Sequence, residues 1–511
     1  MTDIIVHKKD DVYLNIECEA HIAHDLSDFF TFRVPGYKFM PAYRNRAWDG
    51  KIRLFNAFGG ELYVGLLPYV VEFAERKNLT IQSLPWEYTT TIEETKKYFN
   101  DLDPFVSGKS ITPYDYQVDT VHHGINHKRA LMISPTSSGK SLMIYALVNW
   151  LLSNVILDKK DYNSESKLPW KQNIGEKILI IVPTTSLVEQ LYKDFEDYSN
   201  GSSFCYDSVL THRIYAGKDK DTDCPVVITT WQSIYKLKRD WFKQFGAVIG
   251  DEAHNFKAKS LTSILTKMTK CEYKFGFTGT LDGTQTHKLV LEGLFGPVHN
   301  VTTSKALMDA DLIAKLDIEA ITLKYTDEEK KLVKGMIYKD EIDFLINHKK
   351  RNKFICDLAS TRESNTLILF QFVEKHGKKL FKYLTEKSPD RSIFFVSGEI
   401  ATEVREEIRA ITEKSKNAII VASYGTFSTG INIRNLHNII SGHPVKSRIR
   451  NLQSVGRVLR KYDDKEKATL FDISDDLSWK SHKNFSLRHF FERVKIYNSE
   501  KFDYKLRSIE L

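Results

Sequence analysis

Apolar residues along the first half of the chain fall into short unbroken runs, each closed by small or polar residues. The runs are Ala130–Ile133, Ile178–Val182, Val226–Ile228, Val248–Gly250 and, opened by a lysine, Lys274–Phe277. Continuous runs of this length predict strands covered on both faces. Helical patterns lie between them, as in Leu142–Leu147. This alternation predicts a doubly wound parallel α/β domain over 111–304. The second half repeats it with Leu316–Leu323, Thr366–Phe372, Ser392–Val396, Ala418–Ala422, Asn438–Ser441 and Ala468–Asp472. A second α/β domain is expected over 305–475, followed by a helical C-terminal tail over 476–511.

Residues 1–110 predict a small, separate α/β domain with a linker. Ile4–Val6 and Val12–Ile16 read as strands, and Ala20–Phe30 and the segment from Pro68 to Asn78 as helices. Ile52–Ala57 and Glu61–Leu66 flank Phe58-Gly59-Gly60 as a hairpin would. The polar stretch 89–109 reads as a linker, and the hydrophilic stretch 157–177 as a surface insertion.

In an open parallel sheet, ligands gather at the carboxyl ends of the strands. The residues found there sharpen the picture. Ser134-Pro135-Thr136-Ser137-Ser138-Gly139-Lys140-Ser141 sits between a strand and a helix. Small residues let backbone N–H groups turn toward a phosphate, and the helix N-terminus adds positive partial charge. Lys140 can reach the β and γ phosphates, and the Ser141 hydroxyl can ligate Mg²⁺. Ser134 stands where the generic G-x-x-x-x-G-K-[ST] loop has its first glycine. The strand Val248–Gly250 ends in Asp251-Glu252-Ala253-His254. There Asp251 can hold Mg²⁺ and Glu252 can orient and deprotonate a water. Gln117, at the start of a helix before the loop, can hydrogen-bond both edges of an adenine.

The second half has no phosphate loop of its own. It carries Ser423-Tyr424-Gly425-Thr426-Phe427-Ser428-Thr429-Gly430-Ile431-Asn432, expected as a hydroxyl- and glycine-rich loop suited to phosphate oxygens. It also carries Gln453-Ser454-Val455-Gly456-Arg457-Val458-Leu459-Arg460. Arg457 and Arg460 are three apart and share a helix face, so both can approach a γ-phosphate, with Gln453 beside them. In the N-terminal domain Arg44, Arg46 and Trp48 form a basic segment with an embedded aromatic. That segment suits phosphate and base contacts, and equally a solvated turn anchored by its tryptophan.

Composition bounds these readings. The chain has 511 residues, is 42% hydrophobic and has a formal net charge of +8, compatible with a polyanionic partner. Its five cysteines are scattered without a C-x-x-C pair, which fits neither a disulfide framework nor a zinc site. No apolar run nears the ~20 residues needed to cross a bilayer, and Met1-Thr2-Asp3 opens no leader pattern.

Taken in order, Gln117, SPTSSGKS, VPTTS, ITTWQ, DEAH, TGT, SYGTFSTGIN and QSVGRVLR resemble the motif series of superfamily 2 helicases, over 114–460. Gly296-Pro297-Val298 through Leu312-Ile313-Ala314, Arg351-Asn352-Lys353 and the N-terminal RNRAWDGKIRLF resemble the branch of XPB-like and phage recombination helicases. The resemblance implies two RecA-like domains in tandem and an ATP- and Mg²⁺-dependent 3′→5′ DNA translocase. Such an enzyme acts on branched DNA in recombination-dependent replication and repair, as a monomer or weak oligomer in the cytoplasm, the host cell's if the chain is viral. Recombination and single-strand-binding proteins are its expected partners. It implies that Arg457 and Arg460 act as fingers, that Gly430 and Asn432 face the nucleotide, and that His254, Thr278 and Thr280 couple hydrolysis to movement. Thr184, Thr230 and Ser423 are then contacts to the DNA backbone. An RNA helicase, a restriction-complex motor and a nucleotide-sensing DNA-binding protein without turnover stay open as alternatives.

Overall fold

The computed structural model describes residues 2–511 apart from 86–89, 157–176, 200–209, 282–284, 431–432, 445–455, 457–458, 460–464 and 466. The chain divides into two compact units. One comprises Met1–Ser134 and Gly139–Val301, the other Thr302–Leu511 with Pro135–Ser138.

The first unit is built on a seven-stranded sheet in the order Thr211–Ile214, Val226–Thr230, Lys177–Val182, Phe245–Asp251, Tyr273–Thr278, Arg129–Ile133 and Val298–Asn300. Every neighbouring pair is parallel. The five expected strands are its centre, and two short strands complete its edges. The helix Lys140–Leu151 packs on it through side chains buried from Leu142 to Val148. This arrangement brings the ends of Ile133, Val182, Thr230, Asp251 and Thr278 to one edge.

The second unit holds another seven-stranded parallel sheet, ordered Ile393–Val396, Ile419–Ser423, Thr366–Phe370, Asn438–Ser441, Lys467–Asp476, Lys315–Lys324 and Tyr504–Glu510. The fold is therefore α/β, with two RecA-like sheets in tandem and a small N-terminal domain.

Four local expectations change. The stretch 89–109 is not a linker: Thr91 and Glu94 form a capping box that starts the helix Ile92–Leu102, and Phe99 joins the core of the first sheet. Lys51–Arg53 and Glu61–Tyr63 do not pair with each other. The former pairs with Thr31–Arg33 and the latter with Tyr13–Asn15. Only an Asn56–Glu61 bridge closes the turn, whose Asn56 side chain accepts from the amides of Phe58 and Gly59. The segment after Ser423 is a helix, Tyr424–Gly430, and not a loop. Finally, the tail is not purely helical. Phe485–Ser499 is a helix, and Tyr504–Glu510 then pairs in parallel with the strand Lys315–Lys324.

The N-terminal domain, expected to stand apart, packs tightly on the first sheet domain. Its core includes Leu289, and Tyr69 donates to Glu292 at 2.7 Å. Arg129 donates to the Asp11 carbonyl at 2.6 Å. A Cβ at Gly65 would lie 1.9 Å from the Glu292 carbonyl oxygen, so glycine is what lets the two backbones meet.

Candidate functional site

The phosphate loop forms as its residue types require. Ser134 extends the strand Arg129–Ile133 by donating its amide to the Thr278 carbonyl at 2.8 Å. It does not have a positive φ, so a serine fits where the generic loop has glycine. The turn itself falls on Ser137 (φ +71°) and Gly139 (φ +77°). Ser138 stabilises it by donating its hydroxyl to the Pro135 carbonyl at 2.7 Å. The helix then starts directly at Lys140.

Lys140 lies between the two acids, its ammonium 3.6 Å from Asp251 and 3.6 Å from Glu252. Burial works against the ammonium, but Glu252 and Asp251 outweigh it and hold its pKa above the ordinary lysine value. Burial pushes the Asp251 carboxyl up despite Lys140 beside it. Asp251 also accepts from the Glu252 amide at 2.9 Å. Glu252 itself has φ +50°, a left-handed conformation that carries local strain in a non-glycine residue. The chain then turns through 253–257, which returns His254 toward its neighbours. Its Nδ1 lies 3.3 Å from Glu252 and 3.0 Å from the Thr278 hydroxyl. Thr278 donates to the Thr280 carbonyl at 3.0 Å. Lys140, Asp251, Glu252, His254, Thr278 and Thr280 thus form one connected polar chain at the sheet edge.

The Ser141 hydroxyl pairs with the Tyr198 hydroxyl at 2.8 Å. Tyr198 is 57 positions away, and no local pattern announces it. Gln117 is buried, its Oε1 accepting from the Tyr114 amide at 2.9 Å. A Cβ at Gly139 would lie 2.2 Å from its Nε2, so the glutamine sits against the loop's last turn.

The proposed nucleic-acid contacts are distributed. Thr184 and Thr230 end adjacent strands, with Val182 opposite Thr230. Thr184 caps the helix Thr185–Tyr198, accepting from the Leu187 amide. Thr230 is 5% exposed and pairs with the Ser233 hydroxyl at 3.0 Å. In the second unit Ser423 caps the following helix, pairing with the Thr426 hydroxyl at 2.8 Å. Arg44 and Arg46 are exposed and form no ion pair among the described residues. The half-buried Trp48 donates its indole N–H to the Lys51 carbonyl at 2.8 Å, which favours its reading as an anchor of the turn. Gln453, Arg457, Arg460 and Asn432 lie outside the described residues, as does most of the insertion. Gly430 ends its helix.

Ser141 and Asp251 offer a hydroxyl and a carboxylate, the hard oxygen donors that Mg²⁺ takes alongside phosphate and water. The Lys140 ammonium already occupies a cation's place between the two acids. The residue set therefore fits Mg²⁺.

Residues 3–83 match the family model described as DNA helicase UvsW, N-terminal. Residues 110–283 match type III restriction enzyme, res subunit, and 350–462 match helicase conserved C-terminal domain. The chain is 35% identical to the ATP-dependent DNA helicase uvsW of Enterobacteria phage T4, over 100% of both chains. The chain belongs to the UvsW family of superfamily 2 helicases. It is accordingly an ATP-dependent DNA helicase. The crystal structure of T4 UvsW matches over 100% of both chains with 34% identity and a TM-score of 0.51. A more distant relative, the DNA 3′-5′ translocase XPB2 of Sulfurisphaera tokodaii, is 23% identical over 70% of this chain and 80% of its own. No helix among the described residues is long and apolar enough to cross a membrane.

Proposed function

We propose that this helicase moves 3′→5′ on branched DNA, migrating Holliday junctions, regressing stalled forks and dissolving D-loops and R-loops. The observation that carries the ATP-hydrolysing part of this reading is the Lys140 ammonium held 3.6 Å from both Asp251 and Glu252 at the strand ends. Lys140 binds the β and γ phosphates of ATP, and Glu252 orients and deprotonates the attacking water. Ser141 and Asp251 hold Mg²⁺, which supplies charge neutralisation on the phosphates. Gln117 reads the adenine, while Pro135–Gly139, Gly430 and Asn432 contact the nucleotide.

Arg457 and Arg460, with Gln453, stabilise charge on the transferring phosphoryl group. His254, Thr278 and Thr280 relay the phosphate state toward the DNA contacts. Thr184, Thr230 and Ser423 hold DNA phosphates, which implies little sequence preference and strong salt sensitivity. Arg44 and Arg46 grip a duplex arm, with Trp48 anchoring the turn that presents them. The protein works in the cytoplasm, that of the host cell if the chain is viral, as a monomer or weak oligomer beside recombination and single-strand-binding proteins.

The test is ATP hydrolysis by the full chain with forked DNA, with single-stranded RNA and with no nucleic acid. Stimulation by forked DNA well above RNA supports the reading. Equal stimulation by RNA favours an RNA helicase. No hydrolysis under any condition favours a nucleotide-sensing DNA-binding protein.

A further inference from the structure

Beyond the strand Lys467–Asp476 the chain reads Trp479-Lys480-Ser481-His482-Lys483-Asn484-Phe485, then Arg488, His489 and Phe491. Aromatic and basic residues interleave here more densely than in the N-terminal segment. Trp479 and His482 exchange both backbone hydrogen bonds at 3.0 Å, making a closed turn with Lys480 left-handed at φ +55°. Each ring carries a cation. The Lys331 ammonium lies 4.9 Å from the Trp479 ring centre, and Lys483 lies 4.9 Å from that of Phe491. The Arg488 guanidinium lies 4.3 Å from that of Phe485. Tyr338 packs against Phe485 and His489 at 5.7 and 5.3 Å. Phe491 and Tyr338 remain 42% and 41% exposed.

Two features separate this surface from an ordinary solvated one. The first is charge. The flanking Lys330 and Lys495 pair with Asp327 and Glu492 at 3.1 and 2.9 Å. Lys331, Lys480, Lys483 and Arg488 form no ion pair among the described residues.

The second is rigidity. Glu341 is 1% exposed and accepts from the Asn484 side chain at 3.0 Å and from the amides of Phe485 and Ser486 at 2.8 and 2.7 Å. A carboxylate buried at the start of the helix Phe485–Ser499 fixes the platform from below. Asn484 in turn receives the Leu477 amide and donates to the Asp475 carbonyl.

Position adds a third argument. The turn follows the carboxyl end of its strand, on the same sheet edge as Ser423. Three strand steps separate them, from Ile419–Ser423 through Thr366–Phe370 and Asn438–Ser441 to Lys467–Asp476. That is about 14 Å sideways, and Asp476 lies a further ~10 Å along the strand from the level of Ser423, a span of several nucleotides.

We propose that Trp479–Phe491, with Lys331 and Tyr338, form a single-stranded DNA platform: bases stack on the exposed ring faces while the unpaired cations hold phosphates. The proposal rests on the DNA-helicase reading and extends its DNA path along the second sheet.

The test uses the full chain and fluorescence anisotropy with a labelled oligothymidylate across a salt series. Replacing Lys480, Lys483 and Arg488 together by Gln should weaken binding about tenfold or more. It should also lower the log–log salt slope by about 2, at ~0.7 per lost phosphate contact. Phe491→Ala should weaken binding about five- to a hundredfold with the slope unchanged. Binding of a fluorescent ATP analogue should stay at the wild-type level in both. Wild-type affinity and slope in both variants would overturn the proposal, as a surface serving a protein partner would give. If the triple variant does not fold, Phe491→Ala with Lys480→Gln decides on the same readouts. A wild-type chain that neither binds DNA nor hydrolyses ATP with it instead sinks the helicase reading itself.

Discussion

The two large sheets share strand number and parallel pairing, yet the charged groups at their strand ends are held differently. At the edge of the first, Lys140, Asp251 and Glu252 are about one-fifth exposed, with the ammonium 3.6 Å from each carboxylate. In the second, charge is sealed inside. Arg351 and Asp475 are both fully buried and joined at 2.7 Å, with Tyr325 donating to the same carboxylate. Arg493 and Asp472 are joined at 2.9 Å beneath Tyr497. Accessible charge is what a ligand can reach, whereas sealed charge defines the fold around it. The scaffold alone therefore does not say which sheet binds nucleotide.

That contrast can be broken from either side. Lys140→Ala should reduce DNA-stimulated ATP hydrolysis by roughly a hundredfold or more while DNA binding by anisotropy stays within a few-fold. An equal loss of both would erase the division between nucleotide and DNA contacts. Arg351→Met should cost about 3–5 kcal/mol in urea unfolding, because Asp475 is left buried without its partner. A near-neutral result would show that the sealed pair does not organise the second sheet. Gly65→Ala should cost about 1–3 kcal/mol, since the new methyl meets the Glu292 backbone. Unchanged stability would mean that the N-terminal domain is only loosely attached.

The smallest expected effect concerns His443, which burial, aided by Arg351, pushes down to about 3. Its folded pKa lies below the unfolded value of about 6.5, so the unfolded chain binds the extra proton. Stability should fall as pH drops below that value. This one group should account for about 1.4 kcal/mol between pH 7.5 and 5.5. Thermal unfolding of His443→Gln should show a correspondingly shallower loss over that range, and an identical pH profile would remove His443 from the sealed network.

What could be read in the residues divides along the same line. The central strands and the turn from Ser134 to Lys140 were legible because continuous apolar runs and small-residue loops are local signals. Tyr198 was not, since its contact with Ser141 joins positions far apart. Nor was the sharing of a core between the N-terminal domain and Leu289. The helix Ile92–Leu102 was legible in principle. Its Thr91–Glu94 capping box and the spacing of Ile92, Thr95 and Phe99 were outweighed by its many charged residues. The strand Tyr504–Glu510 hides because an edge strand exposes most of its side chains, so no apolar run marks it.

The central claim is that completing the Lys140 site with ATP drives movement on branched DNA. It is tested most directly by incubating the full chain with a synthetic four-way junction, a simple fork and an RNA–DNA hybrid, with ATP. The account predicts conversion of the junction into duplex arms by the wild-type chain, and none by Lys140→Ala. An intact junction alongside brisk ATP hydrolysis would contradict it.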